Sequence, residues 1–503
     1  MNGLNVMAWI ELSIAVVVGL ATSIGLITLI LQASWFRCLA DRPSESHHTH
    51  KTPISRLGGI ALAGAMVAVV LVFSFLVGPG MLLKDDLWLV IPTSLAMFGL
   101  GLWDDLRALG ARRKLLGQIL IASVAFFCGI DIAHFKLPFF NQIIDLGIWA
   151  WPVTVFWLIA MTNLINLIDG VDGLAGGISL MLMILLVYVS MQAGSVPFIA
   201  AGMLGALVGF LRFNFPPARI YMGDGGAYFL GCLIGCLTIV TSQKGTIFAA
   251  LAAPLFVLAL PIIDTSIAIA RRGFRGLPLF RPDRKHIHHR LLASGHSRRT
   301  VVLGLYAFTA FFLVLGFASF CWHGQYFSLF LGIGTLTIIL VAGKFDFSRE
   351  WLSLGRVLGN SMETRAEIQY AISLSRWLAL EGARAPTVES LAEDAVFIAR
   401  KLGFESVRIK LNNQEKNWPL LDSSESCHSY RHELPGDQDC FIELNISCRD
   451  SNRTEDANRC KKCRCTSDIS ADLLAEGWAK AVGDWQKCHR RPVRFQAQMI
   501  GKL

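Results

Sequence analysis

The sequence predicts an all-α polytopic membrane domain of about eleven transmembrane helices at 1–343, followed by a C-terminal cytoplasmic α/β domain at 344–503. Three observations support this fold class. Hydrophobic residues make up 53% of the 503 residues and charged residues only 17%, against about 25% in soluble globular proteins. Apolar runs long enough to cross a bilayer recur throughout the first region. Beyond it the composition changes and such runs stop.

Each candidate span needs about 20 apolar residues, or somewhat fewer where a helix end is polar. The first apolar run is not a secretory signal peptide, because it is too long, contains Glu11 and has no basic residue before it. The runs that begin at 178 and 197 are short, so their limits are the least sharply defined. The predicted spans are 9–32, 57–78, 87–103, 115–133, 148–167, 178–193, 197–212, 226–243, 246–270, 301–322 and 326–343.

Lysine and arginine residues predict the orientation, since cytoplasmic loops are enriched in them. The loops after odd-numbered spans carry most of these residues, and the loop at 271–299 is the most basic. The loops after even-numbered spans carry only Lys84, Lys136 and Lys244. We therefore expect the N-terminus outside the cell and the C-terminal domain in the cytoplasm.

Four polar groups fall on the predicted cytoplasmic side. An isolated aspartate at a helix end is often only solvated, and a glycine pair often only forms a turn. Convergence of four groups on one face of one bundle favours a functional site, because ionisable residues at membrane depth are costly. The groups are DDLRALGARRKL after the third span, NLINLIDGVDGLAGG after the fifth, YMGDGGAYFLG before the eighth and RPDRKHIHHRLLASGHS after the ninth.

These residue types suit phosphate chemistry. Carboxylate and amide oxygens are hard ligands of the kind Mg²⁺ takes, and it shares them with substrate phosphates. Arginine and lysine complement phosphate oxygens, and helix N-termini attract phosphate. Because so acidic a site would repel phosphate without a bridging cation, we expect a metal. Gly170 and Gly173 predict that the fifth span ends near Asp169, so that Asn166 faces the bundle and Asp172 lies in the loop.

Taken together, these blocks resemble the polyprenyl-phosphate N-acetylhexosamine-1-phosphate transferases. They occur in family order over about 1–343, and the His-x-His-His pattern followed by arginine is most similar to the undecaprenyl-phosphate N-acetylglucosaminyl branch. The matching blocks are RLGGIAL (56–62), DDLRALGARRKLLGQ (104–118), NLINLIDGVDGLAGG (163–177), YMGDGGAYFLG (221–231), PIIDTSIAIARR (261–272) and PDRKHIHHRLLASGHS (282–297).

The resemblance implies an enzyme of the bacterial cytoplasmic (inner) membrane. It would transfer a sugar-1-phosphate from a UDP-N-acetylhexosamine to undecaprenyl phosphate and release UMP, with Mg²⁺ or Mn²⁺ as cofactor. N-acetylglucosamine is the favoured sugar, and the product would start synthesis of a lipid-linked surface polysaccharide. The resemblance leaves the oligomeric state open, a homodimer included.

Roles for individual residues follow from the matched positions. Asn166 and Asp224 would hold the metal together with the nucleotide pyrophosphate. Asp104 would deprotonate or orient the lipid phosphate, with Asp105 beside it and Lys114 contacting phosphate. The residues expected at the nucleotide, the sugar and the diphosphate are Asp169, Asp172, Tyr221, His286, His288, His289 and Arg290. A small hydroxyl residue that usually follows the family's Met-Gly-Asp is replaced here by Ala227.

Other classes of protein fit the sequence less well. In a transporter, intramembrane carboxylates would lie near the midplane between repeats, whereas these gather at one face. In a membrane-anchored sensor with an inactive transferase-like domain, the carboxylates need not be intact. The net charge is +9, but without a basic face or aromatic platforms no nucleic acid partner is expected.

The sequence of the C-terminal domain predicts helices and strands of its own. Residues 388–402 form an amphipathic helix with Thr387 as N-cap and Gly403 as its stop, and a last helix lies near 468–487. SVRIKL (406–411) and FIELNIS (441–447) alternate like half-buried strands, an architecture similar to GAF domains. CKKCRC (460–465) has two interpretations. It could bind zinc, with the site completed from among Cys440, Cys448, Cys488, His428 and His489. A reduced, basic loop that contains cysteines is favoured, because the sequence has no second closely spaced CxxC pair of cysteines.

Overall fold

The structure is a computed structural model of the chain. It describes residues 3–32, 54–78, 87–107, 109–136, 143–192, 197–243, 295–322, 361–411, 414–419, 428–434, 437–446 and 456–489, with scattered positions between 255 and 337. Contacts divide the chain into two compact units, of which the second contains Ser348–Leu503.

The first unit is helical, with one small antiparallel hairpin. Its helices are α1 Gly3–Gln32, α2 Gly58–Leu76, α3 Leu87–Leu106, α4 Ala111–Cys128, α5 Ala150–Ile168, α6 Leu174–Gln192, α7 Phe198–Asn214, α8 Gly223–Gln243 and α9 Arg298–Cys321. The hairpin pairs β1 (His134–Lys136) with β2 (Ile143–Asp145) between α4 and α5.

Seven helices in the described part of the chain are long and apolar enough to cross a membrane, fewer than the predicted spans. The helix α4 falls short because its first turn carries Arg112, Arg113 and Lys114, and α7 because it has only 17 residues. The predicted span 246–270 lies largely outside the described residues, and about half of 326–343 does. The chain is thus a multi-pass membrane protein, with seven candidate spans described.

Helix α8 lies at the centre of this unit. The buried share of its span is 94%, against 67% for α6, the next highest. It packs against α2, α3, α5 and α6. Few of its side chains reach the surface, so its position is set by packing on nearly all sides.

Helices α1 and α7 cross at close range through glycine. A Cβ atom built on Gly205 in α7 would lie 2.0 Å from the carbonyl oxygen of Val16 in α1. Small residues allow this backbone contact, which is a common way for membrane helices to associate.

We expect Gly205→Ala to destabilise the protein by about 1–3 kcal/mol, because the two helices must move apart to admit the methyl group. The matched control is Gly25→Ala in α1, whose new Cβ would meet nothing within 4 Å. Removing a helical glycine at that open position should be neutral or stabilising by up to about 1 kcal/mol. Thermal unfolding midpoints in detergent compare the two variants. Equal midpoints would contradict a tight contact between α1 and α7 at Gly205.

The second unit is an α/β domain. Its elements are α10 Ser361–Glu381, α11 Val388–Lys401, β3 Ser406–Leu411, β4 Gln414–Pro419, β5 His428–Leu434, β6 Asp437–Ile446 and α12 Asp456–His489. The four strands form an antiparallel sheet in the order β4-β3-β6-β5. The apolar side chains of β3 alternate into a core that α11 and α12 also line.

Several local predictions for this domain agree with the structure. The Thr387 side chain accepts a hydrogen bond from the Ser390 N–H at 3.2 Å, and Gly403 has φ +84° just beyond α11. Strand β3 has the predicted limits. Strand β6 begins four residues before the predicted 441, and α12 begins twelve residues before the predicted 468.

The CKKCRC segment lies within α12, so its prediction as a loop is wrong. Basic and polar residues around the cysteines continue the helical backbone without a break. Of the other residues considered for zinc, Cys440 is buried in the core and Cys488 is exposed, while Cys448 lies outside the described residues.

Candidate functional site

The site forms where the end of α3 meets the start of α8. Asp104 and Asp105 were predicted in the loop after the third span, which is wrong: they lie in the last turn of α3, which continues to Leu106. Asp224 likewise lies in the first turn of α8, not before the helix. A Cβ on Gly101 would be 2.4 Å from the carbonyl oxygen of Asp224, so only glycine allows the two helices this close.

Asp105 caps the start of α8. Its Oδ1 accepts a hydrogen bond from the backbone N–H of Asp224 at 3.0 Å, and its Oδ2 accepts one from Gly225 at 2.8 Å. The first N–H groups of a helix have no partner within the helix, and its positive end favours a carboxylate. Asp105 therefore fixes the position of Asp224 and has both oxygens occupied by backbone donors.

Lys114 connects two carboxylates. Its Nζ lies 2.6 Å from Oδ2 of Asp104 and 2.9 Å from Oδ2 of Asp224. The other oxygen of Asp104 accepts a hydrogen bond from the backbone N–H of Leu109 at 2.6 Å. Asp104 and Asp224 are 120 positions apart in sequence, and one ammonium group compensates the charge of both.

Asn166 completes this central group from α5. Its Nδ2 donates to Oδ1 of Asp224 at 3.0 Å. Turning the amide over would present its oxygen instead, so the same side chain can serve a cation. One helical turn away, Nδ2 of Asn163 donates to the side-chain oxygen Oε1 of Gln118 on α4 at 2.8 Å, which holds α4 and α5 together beside the site.

The loop between α5 and α6 carries Asp169 and Asp172. Asp172 is buried, accepts a hydrogen bond from the backbone N–H of Ala218 at 3.1 Å and lies 3.6 Å from the Arg298 guanidinium. Burial is the main cause that raises the pKa of Asp169 well above its usual range, and the neighbouring carboxylates, Asp224 first among them, add to it. Asp172 thus already has fixed partners, whereas Asp169 lies in the repulsive field of Asp224, Asp105 and Asp172.

Tyr221 lies on the segment that leads into α8. Burial, with a contribution from the negative charge of Asp172, raises the pKa of its phenol to about 12. The phenol is neutral at physiological pH. Its backbone is fixed by hydrogen bonds with Ser55 and Gly58, which pair the segment with the start of α2.

Asn214 is a residue that sequence reasoning missed. It is buried at the end of α7, where Oδ1 accepts from the Gly173 N–H at 2.9 Å and Nδ2 donates to the Ile220 carbonyl at 2.8 Å. It thereby ties the loop of Asp172 to the segment of Tyr221. A polar residue at the end of an apolar run, just before Phe215-Pro216-Pro217, was the available signal.

The structure thus brings Asp104, Lys114, Asn166 and Asp224 into direct contact, with Asp105 behind them. Asp169, Asp172 and Tyr221 lie on the adjoining loops. The four remaining predicted site residues, His286, His288, His289 and Arg290, lie outside the described residues.

The donor set fits a hard divalent cation. Within the described ranges, no group of three or more His, Cys, Asp or Glu side chains is arranged to hold a metal ion. Magnesium needs fewer, since it keeps several waters and binds through one or two carboxylates plus substrate phosphates. Asp224 and Asp104 supply carboxylate oxygens around one cationic group, and Asn166 supplies an amide.

Comparison with known proteins gives similar sequences over this region. A family model described as "Glycosyl transferase family 4" matches residues 87–242, a range that includes the whole central group. A Bacillus subtilis (strain 168) protein named "Probable undecaprenyl-phosphate N-acetylglucosaminyl 1-phosphate transferase" is 33% identical over 299 residues, 59% of this chain and 82% of the relative.

Two further relatives carry related names. A Mycobacterium leprae (strain TN) "Decaprenyl-phosphate N-acetylglucosaminephosphotransferase" is 32% identical over 51% of this chain and 71% of its own length. A Desulforudis audaxviator (strain MP104C) "Phospho-N-acetylmuramoyl-pentapeptide-transferase" is 33% identical over 56% of this chain and 89% of its own length.

Proposed function

The chain belongs to glycosyl transferase family 4, and from that membership we propose that it transfers N-acetylglucosamine-1-phosphate from UDP-N-acetylglucosamine to undecaprenyl phosphate. The observation that carries the proposal is the contact of Lys114 with Asp104 and Asp224 where the end of α3 meets the start of the buried helix α8, inside the region that the family model matches. The named relatives are transferases, and no observation favours a transporter or an inactive sensor.

The reaction is a phosphoryl transfer. An oxygen of the lipid phosphate attacks the β-phosphorus of the UDP-sugar, the bond from that phosphorus to the bridging oxygen breaks, and UMP leaves. The product is the sugar joined to undecaprenol through a diphosphate. Such transfers need mainly positioning and charge neutralisation.

Individual side chains have distinct tasks in this proposal. Asp104 orients the attacking lipid phosphate and accepts its proton where one is present. Lys114 contacts phosphate oxygens, and Asp105 keeps Asp224 in place. Asp224 and Asn166 would hold Mg²⁺, or Mn²⁺ in its place, which supplies positive charge to the diphosphate of the donor.

The nucleotide and the sugar are assigned to the loops. Asp169 and Asp172 shape the nucleotide pocket and Tyr221 stacks on uracil. His286, His288, His289 and Arg290 meet the sugar and the diphosphate. We place the site at the cytoplasmic face of the bacterial inner membrane, with the N-terminus outside.

Purified protein tests the function directly. Labelled UDP-N-acetylglucosamine, undecaprenyl phosphate and Mg²⁺ should give a labelled lipid and an equal amount of UMP. EDTA should remove the activity, and added Mg²⁺ should restore it. Absence of transfer from every UDP-N-acetylhexosamine in a donor panel would overturn the proposed function, whereas transfer from another member alone would change only the sugar.

The direct mechanism has its own test. A single turnover without lipid acceptor should leave no label on the protein. A sugar-phosphoryl group trapped on Asp104 or Asp105 would instead establish a covalent intermediate.

A further inference from the structure

The side chain of Tyr306 on α9 contacts the end of the loop between α5 and α6. Its hydroxyl donates a hydrogen bond to the carbonyl oxygen of Gly173 at 2.5 Å. That carbonyl also accepts the N–H of Gly177 at 3.0 Å, a bond of the first turn of α6. A Cβ atom built on Gly177 would overlap the Tyr306 ring, so glycine is needed for the ring to lie directly on this turn. The phenol therefore lies against the point where the loop ends and α6 begins.

Gly173 is held on both sides of its backbone. Its φ is +80°, a conformation that favours glycine. The Asn214 side chain accepts its N–H at 2.9 Å, and Tyr306 donates to its carbonyl. Because side chains from two other helices bind these two groups, the backbone of the loop has a fixed direction as it leaves Asp169 and Asp172.

The first turn of α9 contacts the same region. The Arg298 guanidinium lies 3.6 Å from Oδ2 of Asp172, and Nε of Arg299 donates to the carbonyl oxygen of Pro216 at 2.8 Å. Pro216 lies on the segment that leads to Tyr221, so α9 contacts both parts of the chain that are assigned to the nucleotide. The central group of carboxylates, amide and lysine is instead built from α3, α4, α5 and α8.

We propose that Tyr306 is a positioning residue for the nucleotide of the donor, which acts by fixing Gly173 and with it the loop of Asp169 and Asp172. This role rests on the proposed function, in which the two carboxylates shape the nucleotide pocket. Loss of the hydroxyl removes one of the side-chain hydrogen bonds that hold Gly173, so the donor meets a less ordered pocket. The lipid phosphate is assigned to the central group, so its binding should change little.

Tyr306→Phe in the full-length protein removes only the hydroxyl and tests this role. The KM for UDP-N-acetylglucosamine should rise about threefold to tenfold, as expected for the loss of one hydrogen bond. The kcat and the KM for undecaprenyl phosphate should stay within about twofold of wild type. The Kd of UMP, measured by calorimetry in detergent, should rise by the same factor as the donor KM. A general loss of stability would not separate the two substrates in this way.

Tyr188→Phe is the matched control. The Tyr188 hydroxyl on α6 lies 3.2 Å from Sγ of Cys321, the last residue of α9, so it joins the same two helices at the other end of α9. Thermal midpoints show whether both variants are folded, and only Tyr306→Phe should weaken the binding of UMP and of the donor. Unchanged affinities in Tyr306→Phe, or equal losses in the two variants, would overturn the positioning role.

The two measurements separate this role from the proposed function. If wild type transfers sugar-1-phosphate and Tyr306→Phe keeps the wild-type donor KM and UMP affinity, the positioning role alone is wrong. If wild type transfers nothing from any donor, the proposed function is wrong, and UMP binding still decides the role of Tyr306. Weaker binding of UMP by Tyr306→Phe than by wild type would then support the role, and equal or absent binding would overturn it.

Discussion

Asp224→Ala is expected to lower sugar-1-phosphate transfer by about a thousandfold or more. The carboxylate is contacted by Lys114 at 2.9 Å and by Asn166 at 3.0 Å, so every group of the centre is positioned relative to it. Its removal leaves the Lys114 charge with one partner and takes away the strongest hard ligand for a cation.

Two controls separate this loss from misfolding. Asp224→Asn keeps the shape and the backbone bonds to Asp105, and should lose nearly as much activity because it lacks the charge. Asp145→Ala, at an exposed carboxylate of β2, should stay within about twofold of wild type, as surface changes usually do. Initial rates, with thermal midpoints for all three variants, provide the measurement. An Asp224→Ala protein with more than a tenth of wild-type activity would remove Asp224 from the metal assignment.

Lys114→Gln is expected to lower the rate by about a hundredfold to a thousandfold. Its ammonium group is the cation that lies between Asp104 and Asp224, and glutamine keeps much of the length but none of the charge. The two carboxylates would then repel each other and also the phosphates of both substrates. The loss should appear in kcat, because the charge is needed most as the donor diphosphate breaks.

The adjacent Arg113→Gln is the matched control. Arg113 lies in the same first turn of α4 but is exposed, so its loss should change kcat by less than about threefold. Steady-state kinetics with both substrates varied distinguish the two variants. Equal losses would mean that the basic side chains in the first turn of α4 act only through their combined electrostatic field. That result would contradict a specific role for Lys114.

Sequence reasoning located the helices because long apolar runs dominate the pattern. The ends of the helices were predicted less accurately. The third span was predicted to stop at 103, whereas α3 continues through Asp104 and Asp105 to Leu106. Charged residues are a poor fit to a hydrophobic window, yet they remain helical when partners such as Lys114 and the start of α8 neutralise them. In the C-terminal domain, β4 and β5 were missed, since Gln, Glu, Lys, Asn and His are not residues that favour strands.

The candidate site was predictable in its residue types but not in its pairings. Nothing local in the sequence indicates that Lys114 meets Asp224, 110 residues away, or that Asp105 caps the helix of Asp224. Asn214 was not predicted as a site residue for the same reason. Its role depends on two hydrogen bonds, to Gly173 and Ile220, that the local sequence does not indicate. Such contacts depend on how the bundle closes, which single-sequence patterns do not encode.

The nearly complete burial of α8 has a consequence for evolution. A methyl group at Gly101 would already collide with the start of this helix, and most of the side chains along it are enclosed. Natural or laboratory selection for a new sugar donor will therefore find few tolerated changes on α8. Accepted substitutions should accumulate instead on the loops around Asp169 and Tyr221, which can diverge while the reaction centre stays constant.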